Sequence, residues 1–342
     1  MKIGIIGLPA AGKRTLFRLL TGRDVPDARR PDETVEGAAP IADKRVDRLA
    51  EIFEPQKTVY AENQFTLCPD LAPGEQKRLW LDAAKRCDLL CPVLRAFASP
   101  QVYHPEGSVD AMRDRAIIES ELILADMELV DTRLIRIEKE KRSGTTPERE
   151  LEEHVLRKCM ACLEGEAALS TLAMSEQEEA AVRSLGLVTR RPQLWIYNVD
   201  ETELANEWPD GLAVACQLEG EIMAMESEEE RHEFLESLGL AHPGVDRVNQ
   251  ALYDALGLMS FYTVGKDEVR AWTIRKGSPA PLAGGKIHSD IERGFIRVEV
   301  IAYDDLVSAG SEKAAKDAGK MQLKGKDYVV EDGMICHFLF NV

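Results

Sequence analysis

No apolar run in this 342-residue chain approaches the ~20 residues that a membrane-spanning helix needs. The apolar opening does not grow into a secretory signal either, because Pro9, Gly12, Lys13 and Arg14 interrupt it. The seven cysteines (Cys68, Cys87, Cys91, Cys159, Cys162, Cys216 and Cys336) are odd in number and irregularly spaced, which argues against a disulfide framework. Reduced thiols in a cytoplasmic protein are expected. Cys159 and Cys162 form an isolated C-x-x-C with no second pair at zinc-finger spacing, so the motif reads as incidental. The six histidines show no metal-ligand spacing. No Ser-His-Asp or Cys-His arrangement is legible. Positive charge is scarce: 43 Lys and Arg stand against 60 Asp and Glu, a net charge of -17. Whole-surface attraction to nucleic acid is not expected at that charge, no DNA partner is expected, and an RNA contact would require a local basic patch.

What is present is a phosphate-binding pattern with one substitution. Ile3 to Ile6 reads as a buried strand, Gly7-Leu8-Pro9-Ala10-Ala11-Gly12-Lys13 as a G-x-x-x-x-G-K loop, and Arg14 to Leu20 as a helix ending at Gly22. In such a loop backbone N–H groups and the lysine hold phosphates, and a Ser or Thr directly after the lysine ligates the nucleotide's Mg²⁺. Here that place is Arg14, followed by Thr15. The guanidinium could face solvent or occupy the metal's space and pair with phosphate oxygens; both readings stay open.

Further along, residues 23–40 are polar and turn-rich, with Pro26, Pro31 and Gly37, and are expected to be a loop. Asp43 to Phe53 has helical spacing, and Leu89 to Phe97 is a strand candidate containing Pro92. The alternation predicts a doubly wound α/β domain. Val109 to Arg142 carries a drifting apolar stripe that suits one long helix; after the turn at 143–147, Glu148 to Ala168 resumes it, predicting an antiparallel hairpin. Leu194 to Tyr197 returns to strand, Glu221 to Leu258 is helical in pattern, and strand-like segments from 269 onward predict a separate α+β domain.

The C-terminal strings Glu268-Val269-Arg270-Ala271-Trp272-Thr273-Ile274, Ile287 to Arg297, Glu299 to Asp305, Ala318-Gly319-Lys320 and Gly325-Lys326-Asp327-Tyr328 closely resemble the YchF type of Obg-related P-loop NTPases. Glu229 to Asn249 is similar to the same family, and the likeness covers nearly the whole chain. The resemblance implies an α/β P-loop G-domain (1–108 and 190–260), an inserted antiparallel helical arm (109–189) and a ubiquitin-like, β-grasp TGS domain (261–342).

Carried over by position, Gly7, Ala10, Ala11, Gly12, Lys13, Arg14 and Thr15 fall in the phosphate loop. Thr34, in Thr34-Val35-Glu36, falls on the switch I metal contact. Switch II departs most: Leu67-Cys68-Pro69-Asp70-Leu71-Ala72-Pro73-Gly74 replaces an Asp-to-Gly pattern followed by glycines. Ungapped, Leu67 falls on the metal-linked Asp and Asp70 on the Gly; shifting Asp70 onto the metal-linked Asp puts Pro73, which has no N–H, where a γ-phosphate donor belongs, so either register loses a part. Asn198-Val199-Asp200-Glu201 matches the subfamily's N-x-x-E, so Asn198, Val199 and Glu201 are the implied base readers, tolerant of adenine. By its residues alone the same stretch also reads as an ordinary helix start.

The resemblance implies a purine nucleotide, ATP or GTP, with regulatory or ribosome-associated function, and the departures at Arg14 and in switch II imply weak or absent hydrolysis. Mg²⁺ would rest on Thr34 and Asp70. Lys286, Arg293, Arg297, Lys320, Lys324 and Lys326 offer either a scattered solvated surface or a basic face toward ribosomal RNA. Two alternatives remain: a competent Mg²⁺-dependent ATPase or GTPase in which Thr15, Thr34 and Asp70 rebuild the metal site, and a nucleotide-free scaffold using the arm and TGS domain.

Overall fold

The computed structural model describes residues 1–342 apart from 26–29, 31, 75–76, 226, 238–239, 241 and 342. The chain forms two compact units, residues 1–38 with 64–248, and residues 39–63 with 249–342.

The chain opens β1 (Lys2–Ile6), α1 (Lys13–Thr21), β2 (Val35–Pro40), α2 (Lys44–Phe53), β3 (Lys57–Val59) and β4 (Glu62–Leu67). Next come α3 (Leu81–Ala84), β5 (Leu89–Arg95), α4 (Ala111–Glu140), α5 (Pro147–Glu164) and α6 (Glu176–Val182). Then follow β6 (Trp195–Asn198), β7 (Gly211–Val214), α7 (Cys216–Ala224), α8 (Glu228–Ser237) and α9 (Gly244–Ala255). The C-terminal elements are β8 (Leu258–Thr263), β9 (Glu268–Arg275), α10 (Ala280–Ile287), α11 (Ser289–Arg293), β10 (Phe295–Ile301), α12 (Tyr303–Ala309), α13 (Glu312–Asp317), β11 (Gln322–Lys324) and β12 (Ile335–Phe340).

The first sheet has the order β2-β4-β1-β5-β6-β7, and the strands from β4 to β7 are parallel. Ile3, Ile5 and Ile6 of β1 are fully buried, as expected of a central strand covered on both faces. Ile5 sits opposite Leu67 on one side and Cys91 on the other. Because β1 lies between β4 and β5, the loops at the carboxyl ends of these strands converge at the place where open parallel sheets bind ligands. Helix α1 buries Leu16, Phe17, Leu19 and Leu20 and stops at left-handed Gly22, whose N–H donates to the Arg18 carbonyl.

Helices α4 and α5 form the expected hairpin. Asp110 caps α4 through the Met112 and Arg113 amides, and Thr146 caps α5 with Pro147 in its first turn. Val130, Ile137, Val155, Leu156 and Cys159 share one core, which accounts for Cys159 as a packing residue. Burial pushes its thiol up to about 11. Asp126 is fully buried and accepts the Val188 and Thr189 amides, each at 2.8 Å, and the Thr189 hydroxyl at 2.6 Å. Burial raises its pKa, and the three donors oppose that rise. At α6, Ser175 and Glu178 form a reciprocal capping box, and Lys158 donates to Glu178 at 2.6 Å.

The second unit's sheet runs β11-β10-β12-β8-β9-β3 around Phe261, Val298 and Phe338. Residues 39–63 join it: Thr58 of β3 pairs in parallel with Val269, and the α2 cap Asp43 accepts the Tyr262 hydroxyl at 2.5 Å.

Several sequence expectations change. The loop expected at 23–40 contains strand β2 from Val35; of the rest, 26–29 and 31 lie outside the described residues. Gly37 and Pro40 hid this strand, and both are tolerable because β2 is at a sheet edge. The helical stretch from Glu221 to Leu258 is divided into α7, α8 and α9, and Leu258 already belongs to β8. Strand β4 was hidden by its polar Glu62-Asn63-Gln64 start; Asn63 is buried because its amide donates to Asn249.

Candidate functional site

The loop after β1 has the backbone its glycines require. Gly7, Ala10 and Gly12 have φ of 149°, 59° and 95°. A Cβ at Gly7 would lie 2.5 Å from the Val93 carbonyl oxygen, and one at Gly12 would overlap Asn198 Nδ2. Both glycines therefore answer to close approach as well as to dihedral angle.

Lys13 opens α1 and is buried, with 4% of its surface exposed. Its ammonium donates to the Leu8 carbonyl and pairs with Asp70 Oδ1 at 2.9 Å. Burial pulls the lysine below its ordinary pKa, and the Asp70 carboxylate opposes that shift. Arg14 is exposed on the first turn, and Thr15 is half-buried.

Asn198, at the end of β6, joins two loops. Its Nδ2 donates to the Ala11 carbonyl at 3.2 Å, and its Oδ1 accepts the Cys216 amide at 3.2 Å. One Nδ2 hydrogen is left over. Val199 is buried and donates its N–H to the Val214 carbonyl at 3.0 Å. Asp200 accepts the Ala98 amide at 3.0 Å, whereas Glu201 is exposed. Gly12, Thr15, Asn198, Val199 and Glu201 line a cavity of about 770 Å³ together with Arg18, Phe97 and the Ala215–Leu218 turn. Five residues predicted from sequence thus meet in one concavity. Its size is that of a small-molecule site.

Asp70 lies after β4 in a segment pinned to the loop: the Cys68 amide donates to Ile5 and the Leu71 amide to Gly7, each at 3.1 Å. Further along, the Gly74 amide donates to Glu121 Oε1 at 3.3 Å, and Arg78 donates to Glu121 at 3.2 Å and to Glu128 at 2.5 Å. Glu75 and Gln76 lie outside the described residues. Thr34 is half-buried before β2, and among the described residues no hydrogen bond joins it to the loop.

Two contributors were not anticipated. Phe97 lines the cavity, and Arg95, buried at the end of β5, holds the loop that carries it. The Arg95 guanidinium donates to the carbonyls of Phe97, Ser99, Val102 and Tyr103 and lies 4.6 Å from the Phe97 ring centroid. A charged residue closing an apolar strand was the available signal.

In the C-terminal unit Arg293 pairs with Asp290, Lys320 with Asp305 at 3.0 Å, and Lys324 lies over Tyr328. Part of the positive charge that would make a basic face is thus paired within the chain. Among the described residues no helix is long and apolar enough to cross a membrane.

Residues 258–341 match the family model YchF-GTPase_C, described as a protein of unknown function (DUF933). The Ribosome-binding ATPase YchF of Bacillus subtilis (strain 168) is 38% identical over 363 residues, covering 99% of each chain. That of Escherichia coli O157:H7 is 38% identical over 361 residues, covering 100% of this chain and 99% of the relative. Among solved structures, the Schizosaccharomyces pombe YchF GTPase superposes with a TM-score of 0.84 at 31% identity, covering 99% of this chain and 97% of that one.

Proposed function

The chain belongs to the YchF family, and we propose that it binds a purine nucleotide, ATP or GTP, as a cytoplasmic, ribosome-associated regulatory protein with weak or absent hydrolysis. The observation that carries this reading is the cavity in which phosphate-loop residues Gly12 and Thr15 share walls with Asn198, Val199 and Glu201. A purine nucleotide placed there would find the spare Asn198 hydrogen, the Glu201 carboxylate and the Phe97 ring, with Gly12 and Thr15 of the phosphate loop in the same walls. These residues fit a nucleotide.

They fit Mg²⁺ poorly. Arg14 offers no oxygen, and Asp70 is turned onto Lys13, which leaves Thr34 alone of the implied ligands. Phosphoryl transfer depends on metal and an aligned nucleophile, so turnover should be slow. The ribosomal role rests on the names of the relatives. On this reading 1–108 with 190–260 is the nucleotide-binding part, 109–189 the arm and 261–342 the TGS part, the last two facing partners.

Calorimetric titration with ATP and GTP, each in Mg²⁺ and in EDTA, tests the proposal. Lys13→Ala should weaken binding by about tenfold or more, because an ionised donor to phosphate is lost. Absence of binding by the wild-type protein under all four conditions would favour the nucleotide-free scaffold.

A further inference from the structure

We infer that Asp70 sets the phosphate preference of this site: its carboxylate stands on Lys13 where a terminal phosphate would otherwise pair, so the site takes a nucleoside diphosphate in preference to a triphosphate. The inference rests on the nucleotide reading above and concerns which nucleotide the site accepts.

The donor count comes first. A lysine ammonium has three N–H groups. In this chain one is held by the Leu8 carbonyl and one by Asp70 Oδ1 at 2.9 Å. A P-loop lysine that spans β- and γ-phosphates needs two. Only one remains here, sufficient for a single phosphate contact.

The backbone around Asp70 is anchored, while its carboxylate is half-exposed. The amides on either side of it, those of Cys68 and Leu71, are bonded to Ile5 and Gly7, and the Leu71 side chain is fully buried. The anchored backbone therefore keeps the carboxylate within reach of Lys13, and its release needs only a side-chain rotation. Lys13 in turn is buried, and an unpaired buried ammonium is costly, so the pair persists until another anion replaces it.

Downstream, among the described residues, neither Pro73 nor Gly74 offers a free amide to a third phosphate. Pro73 has no N–H, and the Gly74 amide donates to Glu121 on α4. Arg78 reinforces that direction through Glu121 and Glu128, so its charge also faces α4. A γ-phosphate would meet the Asp70 carboxylate, and like charges a few ångströms apart repel. A diphosphate keeps the loop amides and the remaining lysine hydrogen while avoiding that encounter.

Titration calorimetry with ADP and ATP, in EDTA and in Mg²⁺, on the wild-type protein and Asp70→Asn decides the matter. In the wild type ADP should bind about tenfold more tightly than ATP, and Asp70→Asn should bring the ratio toward one by strengthening ATP. Equal or tighter ATP binding by the wild type overturns the inference whatever the variant does. An unchanged ratio in a folded Asp70→Asn protein overturns it too. Loss of ATP binding by the variant only in Mg²⁺ would make Asp70 a metal ligand, again overturning it. If neither nucleotide binds either protein while both melt cooperatively, the nucleotide reading itself falls.

Discussion

Gly12 and Asn198 lie so close that a Cβ on the glycine would overlap the asparagine's Nδ2. Gly12 also has φ 95°, unfavourable for any residue with a side chain. Gly12→Ala should therefore cost about 2–4 kcal/mol of stability, with Asn198 displaced from the Ala11 carbonyl. Chemical denaturation and nucleotide titration on the same samples should show both losses together.

Asn198→Ala leaves the Cys216 amide without its acceptor and unties the loop at Ala11. A cost of about 1–3 kcal/mol is expected from the buried unpaired amide. Nucleotide affinity should fall as well. Retention of full affinity in a destabilised variant would show that Asn198 is a tether only.

Base choice is the third expectation. Val199 is buried and Asp200 is engaged with the Ala98 amide, so Glu201 is the carboxylate of the N-x-x-E stretch that faces the cavity. Adenine nucleotides should bind at least as well as guanine nucleotides in a competition assay. A strong preference for GTP would contradict the reading.

The Glu178 carboxyl is held down to about 2 by the Lys158 ammonium first, then by Ser175. Its folded pKa lies below the unfolded value, so the unfolded chain binds more protons between ordinary carboxylate pH and pH about 2. The stabilisation is present above the unfolded pKa and is lost as pH falls through the folded one. Melting of wild type and Glu178→Gln should differ at neutral pH and converge toward pH about 2.

Arg14→Ser restores a hydroxyl where a P-loop normally ligates Mg²⁺. Nucleotide affinity should become more dependent on Mg²⁺ while turnover stays low, because switch II still lacks its donor. Malachite-green phosphate release and calorimetry in EDTA would separate these effects.

The phosphate loop was legible because its chemistry is local: strand, glycine spacing and lysine lie within thirteen residues. The helical hairpin was legible for a related reason, since an apolar stripe and two caps are written along each helix. The use of Asp70 was not. Its partner Lys13 is 57 positions away, and only the parallel register of β1 and β4 brings the two together. Glu121 and Asp126 likewise look like solvated charges on a long helix, yet both are buried because loops donate to them. Arg95 shows the converse, a cation whose neighbours in sequence are apolar and whose partners are carbonyls it gathers itself.

That arrangement of Arg95 bears on the thermodynamics of ligand entry. With four carbonyls of residues 97–103 fixed by one buried guanidinium, the Phe97 wall has already lost its backbone freedom during folding. An incoming ring meets a surface that needs no ordering, so association escapes that entropic cost. The heat-capacity change on binding should then reflect little beyond the ligand's own apolar burial, as it does when a rigid crevice is filled rather than assembled.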